Sequence, residues 1–413
     1  MYEPPPGREP ILFLSPEPPY PLAGGGPLRS ASLLHYLSRR ARVHLVTFAE
    51  EGSPNPEPFL PRGLVERITT IYLPYHARDP FSRIRRNTRR LLQGQLPLMD
   101  RFSHETSLER VALSMCSGSY SLAVIEHFWC ARYLPILEAR ARAVVLDLHN
   151  VESVLHAACA RSEPWPYNLG HHLFHQRARQ MERRMLGSFH LVLAASDGDA
   201  ERVRALAPEA HVEVYPNAVP WRPAPASQER ELIAFSGNFE YHPNISAVKF
   251  FAAKVWPELR QRRPNLVWRL IGRNEHAIRH IVGGDSRVEL SGAVDDAIAE
   301  LAQAQVVVAP LLAGSGTRIK ILEAWAAGRA VVSSAIGAEG LPAEDGRHLL
   351  LAATPQEWTE RVERLLDAPQ ERRRLGDAGR ALYEQEYCWP AAWRKLDEAL
   401  ERWAPAKVMA RAR

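Results

Sequence analysis

Residues 306–335, VVVAPLLAGSGTRIKILEAWAAGRAVVSSA, read as a strand, a glycine turn, a helix and a second strand. The run VVVAPLL (306–312) is apolar on both faces, as a strand covered on both sides of its sheet must be. Gly314, Ser315 and Gly316 make a permissive turn. The spacing then predicts a helix from near Thr317 that closes at Gly328, the position where a C-terminal glycine is favoured. AVVSSA (330–335) is the next strand. A helix between two apolar strands argues for a parallel βαβ unit.

The same pattern extends along the chain. Short apolar runs stand at 11–15, 43–48, 122–128, 143–150 and 190–196, and a second series at 232–237, 266–272, 287–292, 306–312, 330–335 and 348–353. Helical-period stretches lie between them, including 243–264, 318–328 and 355–367. The segment AVPWRPAPASQERE (218–231) holds three prolines and separates the two series as a linker. The fold class expected is α/β, with two Rossmann-like domains facing across a cleft. After 369 the sequence becomes helical and charged, and it ends in APAKVMARAR, which reads as a frayed tail.

The 413 residues suit two domains at about 150 residues each. Hydrophobic residues make up 46% and charged residues 24%, which excludes wholesale disorder. Cys116, Cys130, Cys159 and Cys388 form no CxxC pair, so a zinc ribbon or a redox dithiol is not expected. The net charge of +5 is only mildly basic. No run approaches the ~18 apolar residues of a membrane span. The start, MYEPPPGREP, lacks the basic-then-apolar pattern of a signal peptide. A cytoplasmic protein is expected, with contact at the inner face of a membrane left open.

The helix start near 317 offers free N–H groups and the positive end of a dipole. Arg318 and Lys320 add positive charge there, which opposes the dipole of a bare helix but suits a bound diphosphate. Glu323 lies further in, where a carboxylate suits sugar hydroxyls; the plainer alternative is a solvated acid paired with Arg318 or Lys320. A second loop, SPEPPYPLAGGGPLRS (15–30), follows the first strand. Gly24, Gly25 and Gly26 permit close approach of backbone to an anion at the following helix start, with Arg29 one turn in. A flexible connection explains the same glycines.

Segment 310–334 resembles the nucleotide-sugar signature of retaining glycosyltransferases of the GT-B fold, family 4, the glycosyl transferases group 1. That signature reads roughly E-x7-E followed by A-x-A-x-G and an apolar strand. Glu323 matches the second Glu, and AWAAGRAVVSS matches the continuation. The first Glu falls on Ser315, and the GxGTRxKxLEA form resembles a subset of the family. The resemblance implies that Glu323 holds the nucleotide ribose. It assigns the diphosphate to Gly314, Ser315, Gly316, Thr317, Arg318 and Lys320.

Further pieces resemble the family in order. IAFSGNFEYHPN (233–244) resembles the first strand and loop of the donor domain, with Gly237 at the phosphates. RLIGRN (269–274) brings Gly272 to the nucleotide, and VELSGAVDD (288–296) brings the backbone at Val294 to the base. VYPNAVPW (214–221) resembles the interdomain junction. The implied organisation is an acceptor-binding domain at 1–220, a donor-binding domain at 221–388, and at 389–413 a helix crossing back to the first domain plus the tail.

His127, in VIEHFW, stands at a strand end, where open α/β folds place their sites. It approximates the active-site His of the family. His149, Asn150 and Glu152, in DLHNVES, resemble a D-x-H-[DN] segment on the acceptor side. A satisfied structural histidine is the competing reading for His127 and for His149.

The activity implied is transfer of a sugar from a UDP- or GDP-type nucleotide-diphosphate sugar to a saccharide or lipid-linked acceptor, with retention and in glycan assembly. His127, Arg318, Lys320 and Glu323 would carry it, Arg318 and Lys320 by stabilising the leaving diphosphate. No DxD-like motif stands at a suitable strand end, so neither a metal nor another cofactor is expected. Two alternatives remain: a non-catalytic subunit that binds nucleotide sugar, and a nucleotide-sugar epimerase. His171, His172 and His175 offer an i,i+4 pair without a third ligand and read as packing or surface residues. RDPFSRIRRNTRRLLQGQ (78–95) interleaves arginines with Phe81, Ile84, Leu91 and Leu92. A solvated face is the first expectation for it, and contact with anionic lipid or an acidic acceptor the second. No nucleic-acid motif is present.

Overall fold

The computed structural model describes residues 9–403 except 23, 78, 116–117, 163–164, 166 and 314–318. The chain forms two compact units, residues 1–217 with 393–413, and residues 218–392.

The first unit carries a seven-stranded parallel sheet in the order β3-β2-β1-β4-β5-β6-β7. Its strands are β1 (Ile11–Ser15), β2 (Val43–Glu50), β3 (Arg67–Leu73), β4 (Leu122–Glu126), β5 (Val144–Leu148), β6 (Leu191–Ala194) and β7 (Val212–Val214). β1 and β5 are buried at every residue, as strands covered on both faces must be. The edge strands β3 and β7 escape the sequence reading. β3 is half exposed and carries two threonines, and β7 has three residues, so neither shows a continuous apolar run.

The second unit carries a six-stranded parallel sheet, order β10-β9-β8-β11-β12-β13. The strands are β8 (Arg230–Ser236), β9 (Val267–Ile271), β10 (Val288–Gly292), β11 (Ala304–Ala309), β12 (Ala330–Ser333) and β13 (Leu350–Leu351). The stretch expected as one helix over 243–264 is two helices, His242–Lys254 and Trp256–Arg262. Pro257 is the cause, since it has no N–H to continue the ladder.

The helix expected to close at Gly328 runs Ile319–Ala326. Gly328 has φ +68°, its N–H bonds Trp325 O, and the Arg329 N–H reaches back to Ala324 O, each at 2.9 Å. That pair of bonds is the glycine-terminated helix end the spacing calls for. Trp325 is fully buried, and the helix Pro369–Leu382 crosses its ring at Gly379, where a Cβ would collide with the indole.

In each sheet the strand order reverses once, between β1 and β4 and between β8 and β11. Loops leaving the carboxyl ends of neighbouring strands diverge at such a point and open a crevice, the usual ligand position in open α/β sheets.

Candidate functional site

In the second unit the reversal point gathers Ser236, Gly237, Lys320 and Glu323. Ser236 ends β8, and its Oγ donates to Glu323 Oε2 at 3.1 Å. Glu323 lies one helical turn after Lys320, so both project from one side. Burial raises the Glu323 carboxyl to about 7, although Ser236 and Lys320 pull it down. It does not pair with a solvated cation, as the plainer sequence reading had it. Lys320 Nζ donates to Asn244 Oδ1 at 3.0 Å and lies 5.3 Å from the centre of the Phe235 ring.

Bare backbone brings the neighbouring strand ends together. Gly237 leaves β8 with its N–H on Ile271 O at 2.9 Å. A Cβ on Gly237 would lie 2.6 Å from Asn244 Nδ2. Gly272, after β9, has φ +142°, and a Cβ there would fall on the Gly237 carbonyl. Its N–H bonds Gly292 O at 2.9 Å. Asn244 Nδ2 donates to Asn238 O and Asn274 Nδ2 to Asn238 Oδ1, both at 2.8 Å, which fixes the loop after β8. Val294 is half-buried in the loop after β10.

Asp296 caps the helix Ala297–Leu301 through the Ala299 N–H at 2.9 Å and pairs with Arg222 at 2.5 Å. Burial works against its charge, but these partners prevail and hold the carboxyl below its ordinary value. Gly314, Ser315, Gly316, Thr317 and Arg318 lie outside the described residues.

In the first unit the reversal point is filled by a buried charge cluster that the sequence reading did not assemble. Arg29, one turn into the helix Gly25–Ser38, does not face an anion site; it is 1% exposed and turned inward. Its Nε and Nη2 hold Asp147 Oδ2 and Oδ1 at 2.9 and 2.5 Å. Its Nη1 reaches Tyr215 O at 2.6 Å and Asn217 Oδ1 at 3.0 Å. Glu126 ends β4, and its Oε2 accepts from Ser30 and, at 3.3 Å, from Ser15. His149 Nε2 lies 3.4 Å from Asp147 Oδ2 and 3.6 Å from Glu126 Oε2.

Burial disfavours charge on His149, but Asp147 and Glu126 outweigh it and raise the imidazole above its ordinary value. Burial likewise raises Glu126. Asp147 stays below its ordinary value, because Arg29 and His149 overcome the cost of burying it. Arg29 and His149 thus face Asp147 and Glu126 in the interior.

Glu126, Asp147 and His149 offer ligand-type atoms within 4.8 Å of one another. Asp147 spends both oxygens on Arg29, so the guanidinium already supplies the positive charge that a metal ion would bring there. The donor set fits an ion-pair cluster better than a cation site.

His127 follows β4 with φ +62°, a conformation that costs energy in a non-glycine residue and clusters at functional sites. Its ring stacks on Trp129 at 4.0 Å between centres and tilts against His149 at 3.6 Å. Burial, then the charges of His149 and Arg29, push it well below its ordinary value, so it is neutral. A neutral imidazole both donates and accepts.

Glu152, at the start of the helix Glu152–Ser162, is buried behind it and accepts from Trp129 Nε1 at 2.8 Å. Burial and the neighbouring Glu182 raise its carboxyl to about 8. Asn150 is half-buried. Gly24 begins the helix of Arg29 with φ +103°, and Gly25 and Gly26 form its first turn. A Cβ on Gly26 would stand 4.0 Å from His149 Nδ1.

The structure therefore gathers His127, His149 and Glu152 in one unit, and Gly237, Gly272, Lys320 and Glu323 in the other. His171 and His175 turn to separate partners, His156 Nδ1 at 3.0 Å and Ser153 O at 2.8 Å.

Residues 230–368, within the second unit, match the family model described as glycosyl transferases group 1. Among solved structures, sucrose-phosphate synthase from Thermosynechococcus elongatus is similar over 96% of this chain and 99% of that one, with a TM-score of 0.69 and 16% identity. HepE from Anabaena, solved with UDP-glucose, is similar over 96% and 100%, with a TM-score of 0.62 and 15% identity. The α,α-trehalose 6-phosphate synthase from Burkholderia multivorans covers 98% and 100%, with a TM-score of 0.60 and 14% identity. No curated protein sequence matches the chain. The fold is GT-B, with two Rossmann-like domains.

Proposed function

We propose that the protein is a retaining glycosyltransferase that takes a nucleotide-diphosphate sugar as donor and a saccharide or lipid-linked glycan as acceptor. One observation carries the reading. Ser236, Glu323, Lys320 and two side-chain-free backbone positions, Gly237 and Gly272, converge at the reversal point of the sheet that the family model covers. A carboxyl that is half protonated near neutral pH gains its charge when ribose hydroxyls donate to it. Lys320 supplies the cation for the diphosphate, with Arg318 and the backbone of 314–317 as further contacts. The base lies against the backbone at Val294. UDP-glucose in HepE makes a UDP-linked sugar the first donor to try.

In the first unit neutral His127, fixed by its stack on Trp129, offers a nitrogen to a sugar hydroxyl. His149 packs against its ring, Glu152 holds Trp129, and Asn150, next to His149 in the chain, is proposed on the acceptor side. His127, His149 and Glu152 are similarly buried, so what singles out His127 for the acceptor is its place at the end of β4 with a positive φ, while His149 and Glu152 serve to hold its ring and Trp129. Departure of the diphosphate would be favoured by the positive charge of Lys320 and Arg318, and the diphosphate would take the acceptor's proton on the same face of the sugar.

The test is release of free nucleoside diphosphate from candidate nucleotide sugars, with and without glycan acceptors. Release that depends on acceptor supports transfer. Donor bound without release under any acceptor would favour a binding subunit, and conversion of the donor to an epimer without acceptor would replace transfer with epimerisation.

A further inference from the structure

The helix Pro80–Leu92 in the first unit is turned against the usual amphipathic rule. A solvated helix places apolar residues inward and charge outward. Here Phe81, Ile84 and Leu92 are 76%, 57% and 84% exposed, while Arg90 is buried and paired with Asp100 at 2.7 Å. Positions 81, 84 and 92 fall at i, i+3 and i+11, with Thr88 between them at i+7, so the three apolar side chains form one outward stripe. Arg85 and Arg89 flank it, exposed and without a carboxylate partner among the described residues. No acidic residue occurs between Pro80 and Met99.

A second set of exposed apolar residues lies on the neighbouring helix Tyr167–Met185. Arg177 of that helix bonds the carbonyl of Gly94, two residues beyond Leu92. Leu173 and Leu169 lie one and two turns before Arg177 on the same face and are exposed. Trp165, 79% exposed, precedes them.

We propose that this face docks on the surface of an anionic lipid bilayer. A stripe of large exposed apolar side chains rimmed by arginines marks an interaction surface, and charge decides its occupant. A second copy of the chain would bring the same arginines against these, with no acid in the helix to meet them. An anionic bilayer supplies phosphates to Arg85 and Arg89 and hydrocarbon to Phe81, Ile84 and Leu92. Among the described residues no helix is long and apolar enough to cross a membrane, so the contact is peripheral. The inference is independent of the donor site.

Sedimentation of the full chain with vesicles tests it. Binding is expected to phosphatidylglycerol–phosphatidylcholine vesicles, weakening with salt, and not to pure phosphatidylcholine. Phe81→Ser/Ile84→Ser/Leu92→Ser should reduce it at least tenfold. Arg85→Gln/Arg89→Gln should reduce it roughly fivefold for each guanidinium lost. Both variants should keep the wild-type Tm and nucleotide binding, because all five side chains are exposed. The proposal is overturned if neither vesicle binds, if binding survives both variants, or if the triple variant instead dissolves a dimer seen by size exclusion.

Discussion

Arg29→Gln should strip the interior of the first unit of the cation that holds it together. In the native cluster the guanidinium makes four hydrogen bonds between 2.5 and 3.0 Å, two of them to Asp147. Asp147 is fully buried, and without Arg29 it is left beside His149 at 3.4 Å. Removing one partner of a buried ion pair costs about 3–5 kcal/mol, chiefly because the other charge stays desolvated. For a unit of this size that lowers Tm by roughly 10 °C.

Replacing both partners, as Arg29→Met/Asp147→Leu, removes the orphaned charge, so it should cost clearly less than the two single losses added. The Asp147 contribution is present above its unfolded value, 3.8, and is lost as pH falls through its lower folded value. The gap between wild type and Arg29→Gln should therefore narrow in acid. Calorimetry across pH 3–7 reads all three effects. A single-variant cost under about 1 kcal/mol, or strictly additive losses, would refute the account of the cluster.

Glu152, with a carboxyl at about 8 in the fold against an ordinary 4.5, keeps a proton that the unfolded chain releases. Its contribution is complete below the unfolded value and lost as pH rises through 8, with a slope of about 1.4 kcal/mol per pH unit. Denaturation between pH 5 and 8.5 should show stability falling, and Glu152→Gln should flatten that fall; an unchanged slope would count against it. Gly272→Ala places a Cβ on the Gly237 carbonyl at a positive φ, so it should destabilise the second unit by about 2 kcal/mol or more and weaken nucleotide binding. Tolerance at wild-type Tm would mean the strand ends are not in that contact. Nucleotide binding should draw the Glu323 carboxyl down from about 7, so it releases protons near pH 6.5 and tightens as pH rises to 7.5. Calorimetry in buffers of different ionisation enthalpy would measure this, and proton uptake would contradict it.

Most of the fold is legible in the sequence, because strands covered on both faces must be continuous apolar runs. The two edge strands of the first unit are not. Arg67–Leu73 is half solvated and Val212–Val214 is too short for periodicity to register. The βαβ unit at 306–335 is readable because Gly328 can only be a helix end where φ turns positive.

Lys320 and Glu323 stand together because they lie one turn apart on one motif, whereas Gly237 and Gly272 come from two other strand ends. The charge cluster could not be placed from the sequence, since Arg29, Glu126 and Asp147 are spread over more than a hundred residues and meet only through the strand order. A signal was nonetheless present. Glu126 in LAVIE and Asp147 in VVLDL are acids inside otherwise apolar strands, and a buried acid needs a buried cation. The Arg-rich helix at 80–92 has the composition of a solvated face; its outward roll is set by the Arg90–Asp100 pair, which composition does not show.

The most direct test of the donor site is thermal stability of the full chain with UDP, GDP and ADP, on wild type and on Glu323→Ala. A nucleotide at 100 times its dissociation constant adds about 2.7 kcal/mol of stability. The account predicts a clear rise in Tm with one nucleoside diphosphate, lost in Glu323→Ala. No rise with any of them, or an equal rise in the variant, would contradict it.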